Sequence, residues 1–183
     1  MFAAKTLEPS GSNVTASKLS STSPVRFPAL SEQTLLSFFL GFTDEERIAR
    51  FGGAVSDYAI RAWRHGIDRG HYLAVGCAQG RQLMGLVELF GRSVTGWKRP
   101  ELALSIRDHS DTAAVRLQLL EIGLVAAREH GATDIFMCFN CAHGGMHGLV
   151  RQYGGTINYE AGNYVIPCDF VSSDASSLWP ETH

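Results

Sequence analysis

The spacing of apolar residues predicts two strands joined by a helix in the second half of the chain. Glu101 to Ile106 alternates apolar residues with small or polar ones and follows a proline, as the start of a strand does. Apolar side chains then recur at helical spacing in a segment that Ser110 or Asp111 can cap and Gly131 can end. Asp134 to Phe139 is a short apolar run that suits an interior strand. Because a helix connects them, the two strands are predicted to be parallel.

Turn signals predict a β-hairpin on each side of this unit. Tyr72 to Ala78 and Gln82 to Phe90 are rich in strand-forming residues, and the short segment between them contains Gly80. Near the C-terminal end, residues 156–167 show the same pattern around Gly162. Both hairpins would add antiparallel strands to the sheet.

Helical patterns complete the predicted order of elements. Ser31 to Phe42 and Asp44 to Asp68 have helical spacing, and the second segment is broken near Gly52. A later helix carries Met146 and ends at Gly154. With a short strand before the first helix, this order predicts the α+β class: a mixed, mainly antiparallel sheet flanked by helices.

Composition and charge indicate one globular domain with a tail at each end. The chain has 183 residues, of which 45% are hydrophobic and 19% charged, and a single domain is expected over residues 25–170. The Ser/Thr-rich residues 1–24 are expected to be a disordered tail, and residues 171–183 a C-terminal tail. A formal net charge of −2 offers no basic surface for nucleic acid, and no apolar run suits a membrane span or a signal peptide. Four cysteines without a signal sequence then suggest reduced thiols in the cytoplasm.

A cluster of cysteine and histidine residues raises the question of a metal. Cys138, Cys141, His143 and His147 form a Cys-x-x-Cys-x-His-x-x-x-His pattern, and zinc binds these residue types. A typical finger-type site, however, separates its cysteine and histidine pairs by about a dozen residues. A redox pair is disfavoured because no Trp-Cys-Gly-Pro-like turn accompanies the cysteines. No metal is therefore predicted, and Cys138 is expected to pack in the sheet.

Two further segments carry a resemblance to a known superfamily. The first is the arm Leu36 to Phe51, and the second is Asn140 followed by Met146, an apolar helix and the terminal Gly154. On these segments and the order of elements over residues 25–169, the chain resembles the GCN5-related N-acetyltransferase (GNAT) superfamily, in particular its bacterial protein-acetyltransferase-like members. The resemblance implies a GNAT-like fold with a splayed parallel strand pair. It also implies transfer of an acetyl group from acetyl-CoA to a primary amine.

The same resemblance implies where acetyl-CoA would bind. The cofactor would lie where the two predicted parallel strands splay apart, close to Asn140 and Met146. Its pantetheine would bond to the strand backbone at Ser105, Ile106 and Arg107. No metal is implied.

The predicted pyrophosphate loop departs from the family pattern. The family has glutamine or arginine followed by glycines, because bare backbone N–H groups at a helix N-terminus can approach phosphate closely. The corresponding residues here are Asp111, Thr112, Ala113, Ala114, Val115 and Arg116. Asp111 would repel phosphate, whereas Arg116, about one turn further on, would supply charge-assisted hydrogen bonds.

Two carboxylates are candidates for the base that deprotonates the acceptor amine. Glu88 is the first candidate, because it is expected to share an apolar strand face with Leu86 and Phe90, where desolvation disfavours its charged form. Glu101 matches a glutamate common in the family and is the second. For either residue, the alternative interpretation is a carboxylate that is paired with an arginine or exposed at the margin of the sheet, and for Glu101 a solvated strand end is an equal alternative. Val150 occupies the position of the family's tyrosine acid, so direct transfer without that acid is expected.

The acceptor remains open from the sequence. It is expected to be an amine-bearing small molecule or a protein lysine, and a homodimer is one open possibility for the assembly. Two interpretations apply to Phe38, Phe39 and Phe42 and the acidic residues that follow them. These residues either line an acidic mouth for an amine, or they form an amphipathic helix and the next capped turn, and the second interpretation is favoured. The altered loop and the missing tyrosine support one alternative function, a catalytically inactive module that senses a ligand or binds a partner.

Overall fold

The computed structural model describes residues 23–26, 30–79, 82–92, 96–107, 113–138 and 145–170. These ranges contain seven strands, five helices and two short 3₁₀ helices, the latter at Arg69–His71 and Cys168–Phe170. In chain order the elements are β1 (Ser23–Arg26), α1 (Glu32–Leu40), α2 (Asp44–Phe51), α3 (Asp57–His65), β2 (Tyr72–Gln79), β3 (Gln82–Arg92), β4 (Gly96–Ile106), α4 (Ala113–Glu129), β5 (Asp134–Cys138), α5 (Met146–Gln152), β6 (Thr156–Asn158) and β7 (Asn163–Pro167). The predicted α+β class is confirmed.

The strands form one mixed sheet in the order β1-β2-β3-β4-β5-β7-β6. Among the described strands, only β4 and β5 pair in parallel, and α4 connects them. The β2–β3 and β6–β7 pairs are the two predicted hairpins. The parallel pair with its crossover helix is confirmed as well.

Strand β4 begins earlier than the sequence pattern indicates. Its ladder with β3 extends back to the pair Arg92–Gly96, so Pro100 lies inside the strand. The backbone N–H of Arg107 donates to the carbonyl of Met84 on β3 (3.2 Å). Successive residues of a strand direct their backbone N–H and C=O groups to alternate sides, and by this alternation from Arg107 the backbone groups of Pro100 point away from β3. The N–H that proline lacks is therefore not needed for the β3 ladder.

Side-chain caps fix the starts of the three N-terminal helices. Ser31 and Ser56 accept backbone N–H groups of α1 and α3, respectively. Thr43 and Glu46 form a capping box on α2, and Gly52 ends that helix with a left-handed φ of 76°. The predicted break near Gly52 is thus confirmed. None of the described helices has the length and apolar character that crossing a membrane requires.

The sheet separates two apolar cores. One core lies between the sheet and helices α4 and α5, and it includes Val87, Leu102, Leu104, Leu119, Leu124, Met137, Val150 and Ile166. The other lies under α1, α2 and α3, and it includes Leu35, Phe38, Phe39, Phe42, Ile60, Tyr72 and Leu86. Residues on opposite faces of β3 and β4 therefore belong to different cores.

The three phenylalanines of the first helical segment belong to this second core. Phe38, Phe39 and Phe42 are buried and contact one another edge to face, with ring centroids 5.0–5.4 Å apart. Glu46, from the acidic run that follows, accepts the backbone N–H of Thr43 at 2.7 Å. The interpretation as an amphipathic helix and a capped turn is confirmed, and these residues do not form an acidic mouth.

Candidate active site

Strands β4 and β5 pair at one register position and then separate. The recorded pair is Glu101 opposite Phe136. Beyond Glu101, the described part of β4 has no strand partner on its β5 side. The N–H of Arg107 points toward β3, so by alternation Ile106 points its backbone N–H and C=O into the gap. Of the three backbone positions predicted to hold pantetheine, Ile106 therefore has groups available, whereas Ser105 and Arg107 lie in the β3 ladder.

Ser105 carries an unsatisfied hydroxyl beside this gap. Its side chain is buried, and its Oγ has no hydrogen-bond partner in the described part of the chain. A buried hydroxyl without a partner is destabilising by about 1–3 kcal/mol. Such a group at a strand edge points to a ligand or ordered water that completes its hydrogen bonding.

The two candidate bases lie on the same face of the sheet. Glu88 on β3 is opposite Ala103 on β4, and Glu101 is two residues from Ala103, so alternation directs both carboxylates toward α1, α2 and α3. They are diagonal neighbours on adjacent strands. Their surroundings nevertheless differ.

Glu88 is fully buried, as predicted, but its carboxylate is bound by basic and hydroxyl groups. Arg50 donates to Glu88 Oε2 through Nη2 (2.7 Å) and Nε (3.2 Å), and the Tyr72 hydroxyl donates to Oε1 (2.8 Å). Arg64 Nη1 lies 4.0 Å from the same Oε1. Oε2 accepts two hydrogen bonds and Oε1 one, so a single acceptor position of this buried carboxylate is left for a substrate proton. The alternative interpretation, a carboxylate paired with arginine, describes its geometry.

Tyr72 and Arg50 were not singled out by the sequence pattern. The signal that could have found them is the burial of Glu88 itself, because a buried carboxylate requires partners. Burial, together with the nearby Glu88 carboxylate, raises the pKa of the Tyr72 hydroxyl far above its usual value. Tyr72 therefore remains a hydrogen-bond donor to Glu88 throughout the neutral range.

Glu101 lies at the point where β4 and β5 separate. It is partly exposed, and its Oε1 accepts a hydrogen bond from the thiol of Cys138 on β5, with Sγ and Oε1 3.7 Å apart. This carboxylate faces the opening of the strand pair and is not held by an arginine ion pair in the described structure. Its setting suits a group that exchanges protons with a bound molecule.

Arg107 is held by helix α1. Its guanidinium donates to the carbonyl oxygens of Gly41 and Phe38 (3.0 Å for Phe38) and stacks on the rings of Phe38 and Phe42. This arginine thus fixes the C-terminal end of α1 against the end of β4. Arg107 also lines a cleft of about 540 Å³, whose other lining residues are neutral polar side chains and two apolar ones, namely Ser31, Gln33, Thr34, Ser37, Phe38, Gln82 and Leu83.

The first turn of α4 carries four of the predicted phosphate-loop residues. Ala113, Ala114, Val115 and Arg116 begin this helix, while Asp111, Thr112 and Asn140 lie outside the described residues. A Cβ added to Gly145 would lie 3.2 Å from Nη1 of Arg116. The guanidinium of Arg116 therefore lies beside the start of α5, next to the predicted contact Met146, which is fully buried.

Other hydroxyl groups near α5 have defined partners. Tyr153 donates to Glu121 of α4 (2.5 Å), and burial and this hydrogen bond raise the pKa of Tyr153. The hydroxyl of Tyr164 lies 3.1 Å from His147 Nδ1. Val150, at the position of the family's tyrosine acid, is buried in the core.

The cysteine and histidine pattern is only partly described. Cys138 bonds with Glu101 and His147 with Tyr164, while Cys141 and His143 lie outside the described residues. Within the described ranges, no three His, Cys, Asp or Glu side chains come together as a possible metal site.

Comparisons with known proteins agree on the architecture. No protein-family model matches the chain, and no curated protein matches it in sequence. Among solved structures, the chain is similar to an N-acetyltransferase from Staphylococcus aureus Mu50 (TM-score 0.63, 12% identity, covering 81% of this chain and 99% of that one). It is also similar to the GNAT domain of S. lividans PAT (TM-score 0.57, 19% identity, 79% and 87% covered). A third is the GNAT family N-acetyltransferase YhbS from Escherichia coli in complex with CoA (TM-score 0.55, 14% identity, 84% and 83% covered).

These similarities define the class of fold. The mixed sheet with a single parallel pair among its described strands, opened beyond Glu101, is the fold of GNAT N-acetyltransferases. At identities of 12–19%, they show the architecture and not the reaction.

Proposed function

We propose that the chain is an N-acetyltransferase that moves an acetyl group from acetyl-CoA to a primary amine. The observation that carries this proposal is the edge of β4 beyond Glu101, where the described part of the chain gives β4 no strand partner on its β5 side and gives the buried hydroxyl of Ser105 no hydrogen-bond partner. An extended pantetheine chain has amide groups that match a strand edge, as in other β-augmentation contacts.

Around this edge, particular residues would hold acetyl-CoA. Ile106 would bond to pantetheine through its backbone, and Ser105 would contribute its hydroxyl. Arg116, next to Gly145, would pair with the pyrophosphate and offset the charge of Asp111. Asn140 and Met146 are proposed to contact the thioester end.

Glu101 is the better proposed base on geometric grounds. It is partly exposed at the strand opening and bonds only weakly with a thiol, whereas both oxygens of Glu88 already accept hydrogen bonds. Glu88 would then have a structural role, because its hydrogen bonds with Arg50 and Tyr72 would hold α2 and β2 against β3 on the acceptor side. With valine at the position of the family's tyrosine, the released thiolate would take its proton from solvent or from the acceptor nitrogen, which loses a proton as the amide forms.

The acceptor is proposed to approach from the face covered by α1. The cleft is lined by hydroxyl and amide groups together with Phe38, Leu83 and the Arg107 guanidinium, and it contains no carboxylate among its lining residues. This lining suits the uncharged polar backbone of a peptide rather than the lysine ammonium itself. A small amine remains the second acceptor class.

Calorimetry with acetyl-CoA tests the proposal directly. Acetyl-CoA at a hundred times its dissociation constant should stabilise the folded protein by about 2.7 kcal/mol, whereas adenosine at the same concentration should not. Release of free CoA thiol on addition of lysine peptides or small amines would then establish transfer. No binding at millimolar acetyl-CoA contradicts the proposal, and binding without transfer to any amine favours the inactive module.

A further inference from the structure

We propose that the groove between α1 and α3 is a binding site for a small organic carboxylate. A cleft of about 360 Å³ lies there, a volume within the range of small-molecule sites. Its lining comes from α1, α3 and the 3₁₀ helix that follows, and it includes Glu32, Leu36, Arg61, Arg64, His65 and Arg69. The groove shares Gln33 with the cleft that Arg107 lines, and its other lining residues lie outside the proposed acetyl-transfer site.

The charge of this groove is opposite to that of the whole chain. Three arginines line it, and Glu32 is the single carboxylate among the lining residues. The chain as a whole has a formal net charge of −2. A concave surface with an excess of positive charge concentrates anions.

Two of the arginines have hydrogen-bonding capacity that the described protein does not use. The side chain of Arg64 is 5% exposed, and its Nε and Nη1 are buried without a hydrogen-bond acceptor in the described residues, although Nη1 lies 4.0 Å from Oε1 of Glu88. Arg61 lines the groove and has no hydrogen bond or ion pair with the described part of the chain. A buried charged donor without an acceptor is uncommon in folded proteins, so Nε of Arg64 points to a missing acceptor, and the exposed Arg61 offers further donors at the same groove.

The chemistry of the lining favours a carboxylate with an apolar body. Guanidinium groups bind planar carboxylates in a bidentate manner. Leu36 and the aliphatic parts of Arg61 and Arg69 offer apolar contact beside these groups. A bare inorganic phosphate would gain nothing from that apolar contact.

Glu32 acts as an internal competitor for this site. Its Oε2 accepts from Arg64 Nη2 at 2.8 Å, and its Oε1 lies 3.6 Å from Arg69 Nη2. An entering carboxylate would take over these arginine contacts. Neutralising Glu32 should therefore strengthen binding, whereas removing an arginine should weaken it.

Calorimetric titration with benzoate, succinate and inorganic phosphate tests the proposal on the full chain without acetyl-CoA. The wild type should bind benzoate or succinate more tightly than phosphate. Arg61→Ala should weaken carboxylate binding by about tenfold, and Glu32→Gln should tighten it by about threefold or more. Arg61 is exposed, so its replacement should leave the circular dichroism spectrum and melting temperature near those of the wild type.

Arg151→Ala provides the matched control, because Arg151 is an exposed arginine on α5 and its loss changes the net charge by the same amount. Its carboxylate affinity should equal that of the wild type. The proposal is overturned if neither carboxylate binds at about 10 mM, if Arg151→Ala and Arg61→Ala weaken binding equally, or if phosphate binds more tightly than both carboxylates. None of these results depends on whether the chain transfers acetyl groups.

Discussion

The guanidinium of Arg50 donates two hydrogen bonds to one carboxylate oxygen of Glu88, through Nη2 at 2.7 Å and Nε at 3.2 Å. Arg50 lies on α2 and Glu88 at the centre of β3, so this pair joins the helical arm to the sheet. The side chain of Arg50 is 10% exposed and that of Glu88 is fully buried. Arg50 also stacks on Phe51 and Trp63, which holds its guanidinium in place.

We expect Arg50→Met to lower the free energy of unfolding by about 3–5 kcal/mol, because it leaves a buried charge without its main partner. Glu88→Gln should be destabilising for the same reason, since it leaves Arg50 buried and unpaired. The double variant should lose less unfolding free energy than the two single variants lose together, by about 1–3 kcal/mol. Urea unfolding of the four proteins provides the measurement. Strictly additive losses would mean that the two groups do not interact appreciably.

The sequence could predict the burial of Glu88 but not its partners. Apolar neighbours on both faces of β3 indicate burial, whereas Arg50 is 38 residues away along the chain and reaches Glu88 only through the packing of α2 on the sheet. The contact between Glu101 and Cys138 also spans 37 residues, yet it follows from the predicted parallel pair, which brings those strands together. Sequence periodicity thus locates strands and faces well. It does not reveal which charged side chains meet across separate elements.

The proposed bases can be distinguished by a matched pair of variants. Glu101→Gln preserves the shape of the side chain but cannot accept a proton, so turnover should fall by about a hundredfold or more while acetyl-CoA affinity is unchanged. Glu88→Gln should chiefly lower stability, with a smaller loss of turnover measured below its melting temperature. Steady-state kinetics on a confirmed amine substrate decide between them. A larger loss of turnover in Glu88→Gln would return the role of base to that residue.

Arg116 is expected to contribute charge to acetyl-CoA binding. It lies in the first turn of α4 beside Gly145, and Arg116→Ala should weaken acetyl-CoA binding by about tenfold or more because it removes a charge-assisted contact. Arg61→Ala, on the α1–α3 side, serves as the control and should bind acetyl-CoA as the wild type does. Asp111→Gln should tighten binding by removing a repulsive charge. Equal affinities in Arg116→Ala and the wild type by calorimetry would argue against a role for Arg116.

Tyr72 should make the protein sensitive to alkali. Because burial and Glu88 raise the pKa of Tyr72 above its unfolded value near 10, its contribution to stability is complete below about pH 10 and declines as pH rises further. Tyr72→Phe should be about 1.5–3 kcal/mol less stable at pH 7, because it loses a hydrogen bond to a charged group. The unfolding free energies of the two proteins should then converge above pH 10, where each unit of pH removes about 1.4 kcal/mol from the wild type. Parallel curves up to pH 11 would exclude this assignment.

Two glycines, one inside α5 and one just beyond its C-terminal end, should respond to alanine in opposite ways. A Cβ on Gly155 would lie 2.9 Å from the carbonyl oxygen of Val150 and 3.0 Å from that of Val165, and neither oxygen can move without disturbing the end of α5 or β7. Gly155→Ala should therefore be destabilising by about 1–3 kcal/mol. Gly148, inside α5, has nothing within 4 Å of such an atom, so Gly148→Ala should be stabilising by up to about 1 kcal/mol through helix propensity. Thermal unfolding compares the two variants directly. A gain in stability for Gly155→Ala would contradict the prediction, because it would show that the β7 backbone can shift despite its hydrogen bonds to β5 and β6.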